Sequence, residues 1–280
     1  MAFCCTESEL AMKKRFEGAY VNAQTSTMKS IERQVCGCDF GGNSWTSKEQ
    51  ADALIKLIGI DATSSLVDLG AGTGWPGLYF AKKTGCAVTL VDLPEIGLKI
   101  AKKRAKEEGF ADRVTTKIAD AADLPFADAS FDAISHSDLL CCLVRKRTVL
   151  EQCHRIIGEK GVMAFTVISL TPGLGKSAYV RALAYSPEFI ESEFSYDALL
   201  EKTGWVVTKK HDLTNQYRDS CERQIDADRE SSAELSQLLG KDEASARLDR
   251  WQEKLLAIQD GLFMRELYVC RKQCRNGVHP

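Results

Sequence analysis

Between residues 66 and 168, short β-branched and aliphatic runs alternate with longer amphipathic ones, and this alternation restricts the fold more than any other feature. Residues 66–69 precede a helical pattern over 75–83, and residues 87–92 precede one over 94–108. Runs at 114–118 and 131–135 follow, then a helix near 148–157 and an apolar run over 161–168. Parallel neighbours need a crossover connection, so strands separated by helices predict a parallel sheet with helices on both faces. Upstream, Ser47-Lys48-Glu49-Gln50 reads as a capping box opening a helix that Gly59 ends.

The expected fold is therefore α/β, a Rossmann-like doubly wound sheet. After residue 170 the pattern changes, because two further strand-like runs, 205–208 and 262–269, are separated by long helix-favouring stretches. The layout expected is a helical arm or lid over residues 1–46 and one domain over 47–280. Helical insertions at about 171–204 and 214–260 would stand over the carboxyl ends of the strands, where open α/β sheets bind ligands.

Composition excludes several classes. The 280 residues are 44% hydrophobic and 27% charged with a net charge of -2, the balance of an ordinary globular chain with no polybasic tract for nucleic acid. Residues 1–5 show no leader pattern, and no run approaches the ~18 apolar residues of a membrane span; a cytoplasmic protein without membrane contact is expected. The 11 cysteines are odd in number, and neither Cys36-Gly37-Cys38 nor Cys141-Cys142 has C-x-x-C spacing. Reduced core thiols and no metal site are expected.

The run Val67-Asp68-Leu69-Gly70-Ala71-Gly72-Thr73-Gly74-Trp75-Pro76-Gly77 lies between a strand and a helix, the context that gives a glycine pattern meaning. Gly72 to Gly77 also matches G-x-G-x-x-G, with the acid Asp92 beyond it, so an NAD(P)-dependent oxidoreductase is a rival reading. Asp68 distinguishes the two. A carboxylate beside the turn opposes a pyrophosphate but favours a sulfonium and an ammonium, the charges of S-adenosylmethionine.

Leu66 to Gly74, Val91-Asp92, Ala119-Asp120-Ala121, Phe131-Asp132-Ala133-Ile134 and Arg155 to Gly161 together resemble the successive motifs of class I S-adenosylmethionine-dependent methyltransferases of small-molecule type, over about residues 65–168. The resemblance implies a seven-stranded, mostly parallel sheet with an antiparallel last strand, and S-adenosyl-L-methionine as cofactor. It implies Asp68, Gly70, Gly72 and Gly74 at the methionine end, Asp92 on the ribose hydroxyls with Leu93 against the adenine ring, and Asp120-Ala121 at the adenine amino group. Ser135 and His136 would follow the fourth strand beside the transferred methyl. Trp45 and Thr46 join the cofactor set, Thr46 and Ser44 at its carboxylate.

Methyl transfer from a sulfonium is an in-line displacement, in which alignment counts most and a base is needed only for a protonated acceptor. His136 and Asp138 are the candidate catalytic residues. Tyr20, Tyr179 and Tyr217, with His136, Tyr185 and Arg218, are candidates to line a pocket for a small N, O, S or C nucleophile. Arsenite methylation, suggested by Cys142, lacks a cysteine after the fifth strand at residues 169–174. A cofactor-binding protein without catalysis is a further alternative, and the helical insertions suit a monomer or a homodimer.

Overall fold

The computed structural model describes residues 7–42 and 44–273. The leader-free reading of residues 1–5, and Asn43 in the Gly41-Gly42-Asn43-Ser44 loop, lie outside the described residues. Two helices, α1 (Glu7–Asn22) and α2 (Ser26–Cys36), precede α3 (Lys48–Ile58). The capping box of α3 is complete: the Ser47 side chain accepts from the Gln50 amide and the Gln50 side chain from the Ser47 amide, while Gly59 closes the helix in the left-handed conformation.

The alternating core then runs β1 (Ser65–Leu69), α4 (Gly77–Thr84), β2 (Ala87–Asp92), α5 (Glu95–Glu107), β3 (Val114–Ile118), β4 (Phe131–Ser137), α6 (Lys146–Ile156) and β5 (Ile157–Leu170). Helices α7 (Lys176–Tyr185) and α8 (Tyr196–Lys202) lead to β6 (Trp205–Asp212); α9 (Thr214–Glu230), α10 (Ser232–Leu239) and α11 (Lys241–Gln259) lead to β7 (Phe263–Lys272). The seven strands form one sheet in the order β3-β2-β1-β4-β5-β7-β6. The pairs from β3 to β5 are parallel, and β7 runs antiparallel to both neighbours. The expected fold class stands.

Both faces of the sheet are covered, so its central strands read as continuous apolar runs rather than as alternation. Leu66, Leu90 and Ala133 pack with Leu54, Leu78 and Ala101 on one face. Val67, Ile134 and Phe165 pack with Val149, Leu200 and Trp205 on the other. The N-terminal helices join the insertions, α1 lying on α5 and α2 on α9, with α9 against α11.

Two boundaries differ from expectation in ways that matter to the site. Helix α4 starts at Gly77 rather than Trp75, with Pro76 as its N-cap, because the Trp75 ring is drawn inward and its Nε1 donates to the Thr46 carbonyl at 2.7 Å. Strand β4 runs on to Ser137, pairing His136 with Phe165 and Ser137 with Thr166. The polar letters Ser-His-Ser disguise a strand whose last residues remain in the ladder, so Ser135 and His136 lie within β4 and do not follow it.

Candidate functional site

At the carboxyl end of β1 the chain reverses through Gly70, Gly72 and Gly74, all at positive φ. Gly70 has no room for a side chain, since a Cβ there would stand 2.7 Å from Leu139. The turn is anchored from below. Asp68, 1% exposed, accepts from the Gly77 amide at 3.0 Å and from the Ser135 hydroxyl at 2.6 Å. Burial pushes its carboxyl up to about 7.

That placement puts Asp68 behind the turn, where the resemblance implied a contact with the cofactor. Asp68 lies beneath the turn on the α4 side and is absent from the cavity wall; it fixes the loop instead of facing the ligand. Ser135 is its partner, and Gly74 is tucked against Leu78 and Ala101. These three residues build the turn from behind.

Asp92, at the end of β2, does face the cavity. Its oxygens accept from the amides of Gly72 and Leu93, each at 2.7 Å, and Tyr20 Oη approaches at 3.5 Å. Burial raises its carboxyl to about 6. Gly70, Leu93, Asp120, Ser137, Asp138 and Leu139 continue the wall. Ser137, which sequence reasoning missed, enters through the two extra residues of β4.

Two of the turn's amides count against the rival nicotinamide reading. A pyrophosphate needs free backbone N–H groups at the turn and the helix N-terminus, whereas Gly72 and Gly77 already donate to Asp92 and Asp68. The donor set suits a phosphate-free nucleoside carrying positive charge.

Asp120 also lines the cavity, accepting from the Ala122 amide at 2.8 Å and from Arg145. Ala121 is buried but contributes nothing to the wall. Arg145 was not anticipated, and it gives Asp120 a cationic partner.

The candidate catalytic residues separate. His136 is buried within β4, stacked on Phe165 with ring centroids 4.5 Å apart, neither ring nitrogen has a partner, and it is not on the cavity wall. Burial drives its imidazole down to about 3, so it stays neutral. The expected base and acceptor contact at His136 is therefore not met, because β4 turns that ring into the core.

Asp138 does reach the cavity, with left-handed backbone (φ 52°), uncommon for a non-glycine residue. Its carboxylate is gripped by Arg265 of β7, Nη2 at 2.9 Å and Nε at 3.1 and 3.2 Å. Arg265 is fully buried, and its remaining donors reach Gln50, Thr46 and Thr166. Thr46 is thus enclosed in this network, its hydroxyl also meeting Ser137 at 3.1 Å, and it does not line the cavity as expected. Strand β7 thereby fixes the position of an acid at the tip of β4.

The aromatic candidates also divide. Tyr20, expected in an acceptor pocket, lies on the wall beside Asp92 and Gly72. Trp45 is on the wall, edge-on to Tyr217 and Trp251. Tyr217, 1% exposed, is core packing behind Trp45. Tyr179 is paired with Glu191 at the surface, away from the cavity. Cys141 and Cys142 are adjacent in one turn on the wall, and the Cys141 thiol holds that of Cys142 below its ordinary range. Among the described residues no group of three His, Cys, Asp or Glu side chains converges for a metal, so the arsenite reading gains no third ligand.

Comparison with known proteins points the same way as the geometry. A family model described as "Methyltransferase domain" matches residues 67–165, the segment that carries the turn, Asp92, Asp120 and β4. That segment carries a methyltransferase domain, and the chain is similar to class I S-adenosylmethionine-dependent methyltransferases. Two of the similar structures were solved with S-adenosylhomocysteine or S-adenosyl-L-methionine bound. Methyltransferase GfsG of Streptomyces halstedii is 28% identical over 61% of this chain and 63% of its own length. The 27-O-demethylrifamycin SV methyltransferase of Amycolatopsis mediterranei is 29% identical over 60% of this chain and 64% of its own. The chain thus spans just under two thirds of these relatives. In fold it is similar to Haemonchus contortus phosphoethanolamine N-methyltransferase 2, solved with phosphomonomethylethanolamine and S-adenosylhomocysteine: TM-score 0.76, 19% identity, 92% of this chain and 60% of that one. No helix among the described residues is long and apolar enough to cross a membrane.

Proposed function

We propose that the chain transfers a methyl group from S-adenosylmethionine to a small organic nucleophile by in-line displacement. The observation that carries this is the cavity at the strand ends, where Asp92 faces inward from a glycine turn whose Gly72 and Gly77 amides are already bonded to carboxylates. The cofactor, when bound, supplies a methyl group activated by positively charged sulfur. Asp92 would accept from the ribose hydroxyls, Leu93 pack on the adenine ring, and Asp120, held by Arg145, accept from the adenine amino group. Gly70 lets that nucleoside lie close to the backbone.

On the acceptor side the wall is largely apolar, with Phe16, Trp45, Leu143 and Ile168. Such a wall excludes water and orients the nucleophile; well-aligned reactants gain up to about 7–11 kcal/mol of the barrier. Asp138 is fixed rather than free, and His136 is off the cavity. The chemistry supported best is therefore alignment of an acceptor that presents a lone pair, with Asp138 orienting a donor group on it.

Isothermal titration with S-adenosylhomocysteine tests the reading. Binding is expected, and Asp92→Ala should weaken it by about 10- to 200-fold, the worth of hydrogen bonds to a charged group at 1.5–3 kcal/mol. No binding to the wild-type chain would remove the proposal. Binding without production of S-adenosylhomocysteine across phenol, alcohol, thiol, amine and carbon acceptors would favour a non-catalytic cofactor-binding protein.

A further inference from the structure

Trp45 is a wall shared by the cofactor cavity and a second cavity between α2, α9 and α11. Apolar side chains of Met28, Ile31 and Val35 line one side of this second space, and Trp251 and Lys254 line another. Two donors on that wall have no acceptor. The Trp251 Nε1 is wholly enclosed without a hydrogen bond. Lys254 has no carboxylate partner among the described residues, and its Nζ lies 5.6 Å from the Trp251 ring centroid. Burial holds its ammonium below the ordinary lysine range.

The other charged groups on this wall are already matched. Arg247 is paired with Asp228 through contacts of 2.6 and 3.1 Å. Glu32 is engaged by the amides of Gly41 and Gly42 and by the Cys38 thiol. A neighbouring hollow shares Arg247, Trp251 and Lys254, adds Arg250, and has no acidic residue on its wall. The imbalance is one of donors lacking acceptors, and enclosed donors are unfavourable until something accepts from them.

We infer that the cavity between α2, α9 and α11 binds the anionic group of the methyl acceptor, a carboxylate or phosphate, with Lys254 Nζ and Trp251 Nε1 as its donors. The apolar part of the acceptor lies against Trp45 and Met28, which directs its nucleophilic end through Ser44 and Trp45 toward the cofactor cavity. The inference rests on reading that adjoining cavity as the site of methyl transfer. It narrows the acceptors to acids and phosphate esters with a short apolar body.

The test titrates octanoate, octyl phosphate and neutral octanamide into the full chain, followed by tryptophan fluorescence, with and without saturating S-adenosylhomocysteine. At least one anion is expected to bind tenfold or more tightly than octanamide, and the tighter of the two names the group. Lys254→Met should bring that anion to the octanamide level while leaving S-adenosylhomocysteine affinity unchanged. Trp251→Phe, which keeps a ring and removes the donor, should weaken the anion severalfold and octanamide little, and it serves if the lysine variant does not fold. Anions binding no better than octanamide, or a preference that survives both substitutions, would overturn the inference. Loss of S-adenosylhomocysteine binding by the wild-type chain is a separate outcome that strikes the methyltransferase reading, since the anion preference is also measured without it.

Discussion

Replacing Asp138 by alanine should destabilise the protein strongly, through Arg265 rather than through catalysis. Arg265 is 0% exposed on its side chain and Asp138 10%, and the carboxylate takes three of the guanidinium's contacts. With the acid gone, the hydroxyls of Thr46 and Thr166 and the Gln50 side chain still accept from Arg265, but the buried charge has lost its only ionic partner among the described residues. Removing one member of a buried pair costs about 3–5 kcal/mol. At roughly 2–4 °C per kcal/mol for chains approaching this size, the midpoint of thermal unfolding should fall by about 6–20 °C. Urea unfolding followed by circular dichroism measures the loss directly. Asp138→Ala combined with Arg265→Met removes both charges and should recover at least half of it, because a buried pair replaced by apolar side chains is often close to neutral. The reasoning fails if the single variant lies within 1 kcal/mol of wild type, or if the double variant is no more stable than the single.

Three further outcomes are expected. Affinity for S-adenosylhomocysteine should be full at pH 8 and fall below about pH 6, because burial raises the Asp92 carboxyl to about 6 and its ionised form accepts more strongly from a ribose hydroxyl than the protonated one; titration calorimetry from pH 5 to 8 would show a flat profile if Asp92 plays no part. Gly77→Ala should cost about 1–3 kcal/mol of stability and weaken the cofactor, since a Cβ there would meet the Asp68 carboxylate at 2.6 Å and push the turn off its anchor; unchanged urea midpoint and affinity would contradict this. His136→Gln should leave the pH dependence of methyl transfer as it is, whereas loss of a limb in the pH–rate profile would restore that imidazole to the chemistry.

The strands β2 and β3 can be read to the residue from sequence, because the β-branched runs there end abruptly at Asp92-Leu93-Pro94 and at Ala119-Asp120. The capping box at Ser47 is equally legible, its signal being local and complete within four residues. What local pattern cannot carry is pairing across the sheet. Ser135-His136-Ser137 looks like a loop after a strand, yet β5 keeps it in register through Thr166, and that decides where His136 points. Arg265 is a single basic residue in an apolar run, and the acid it holds lies 127 positions away. Asp68 is legible as part of the turn, but sequence order alone does not tell whether an acid faces a ligand or the amide of Gly77. Arg145 opposite Asp120 and Lys254 behind Trp45 left no motif at all; each is visible only once the helices are packed.

Because the residue that holds Asp138 sits on β7, the strand laid down last in the sheet, an emerging polypeptide cannot finish its own pocket early. Everything from the arm to α9 can leave the ribosome while the tip of β4 still lacks its counter-charge. Only when β7 slots between β5 and β6 do Thr46, Gln50, Asp138 and Thr166 converge on one guanidinium. The tip of β4 should therefore be held in place only after β7 has been made, and a chain stopped before residue 263 should retain much of its helical content without it.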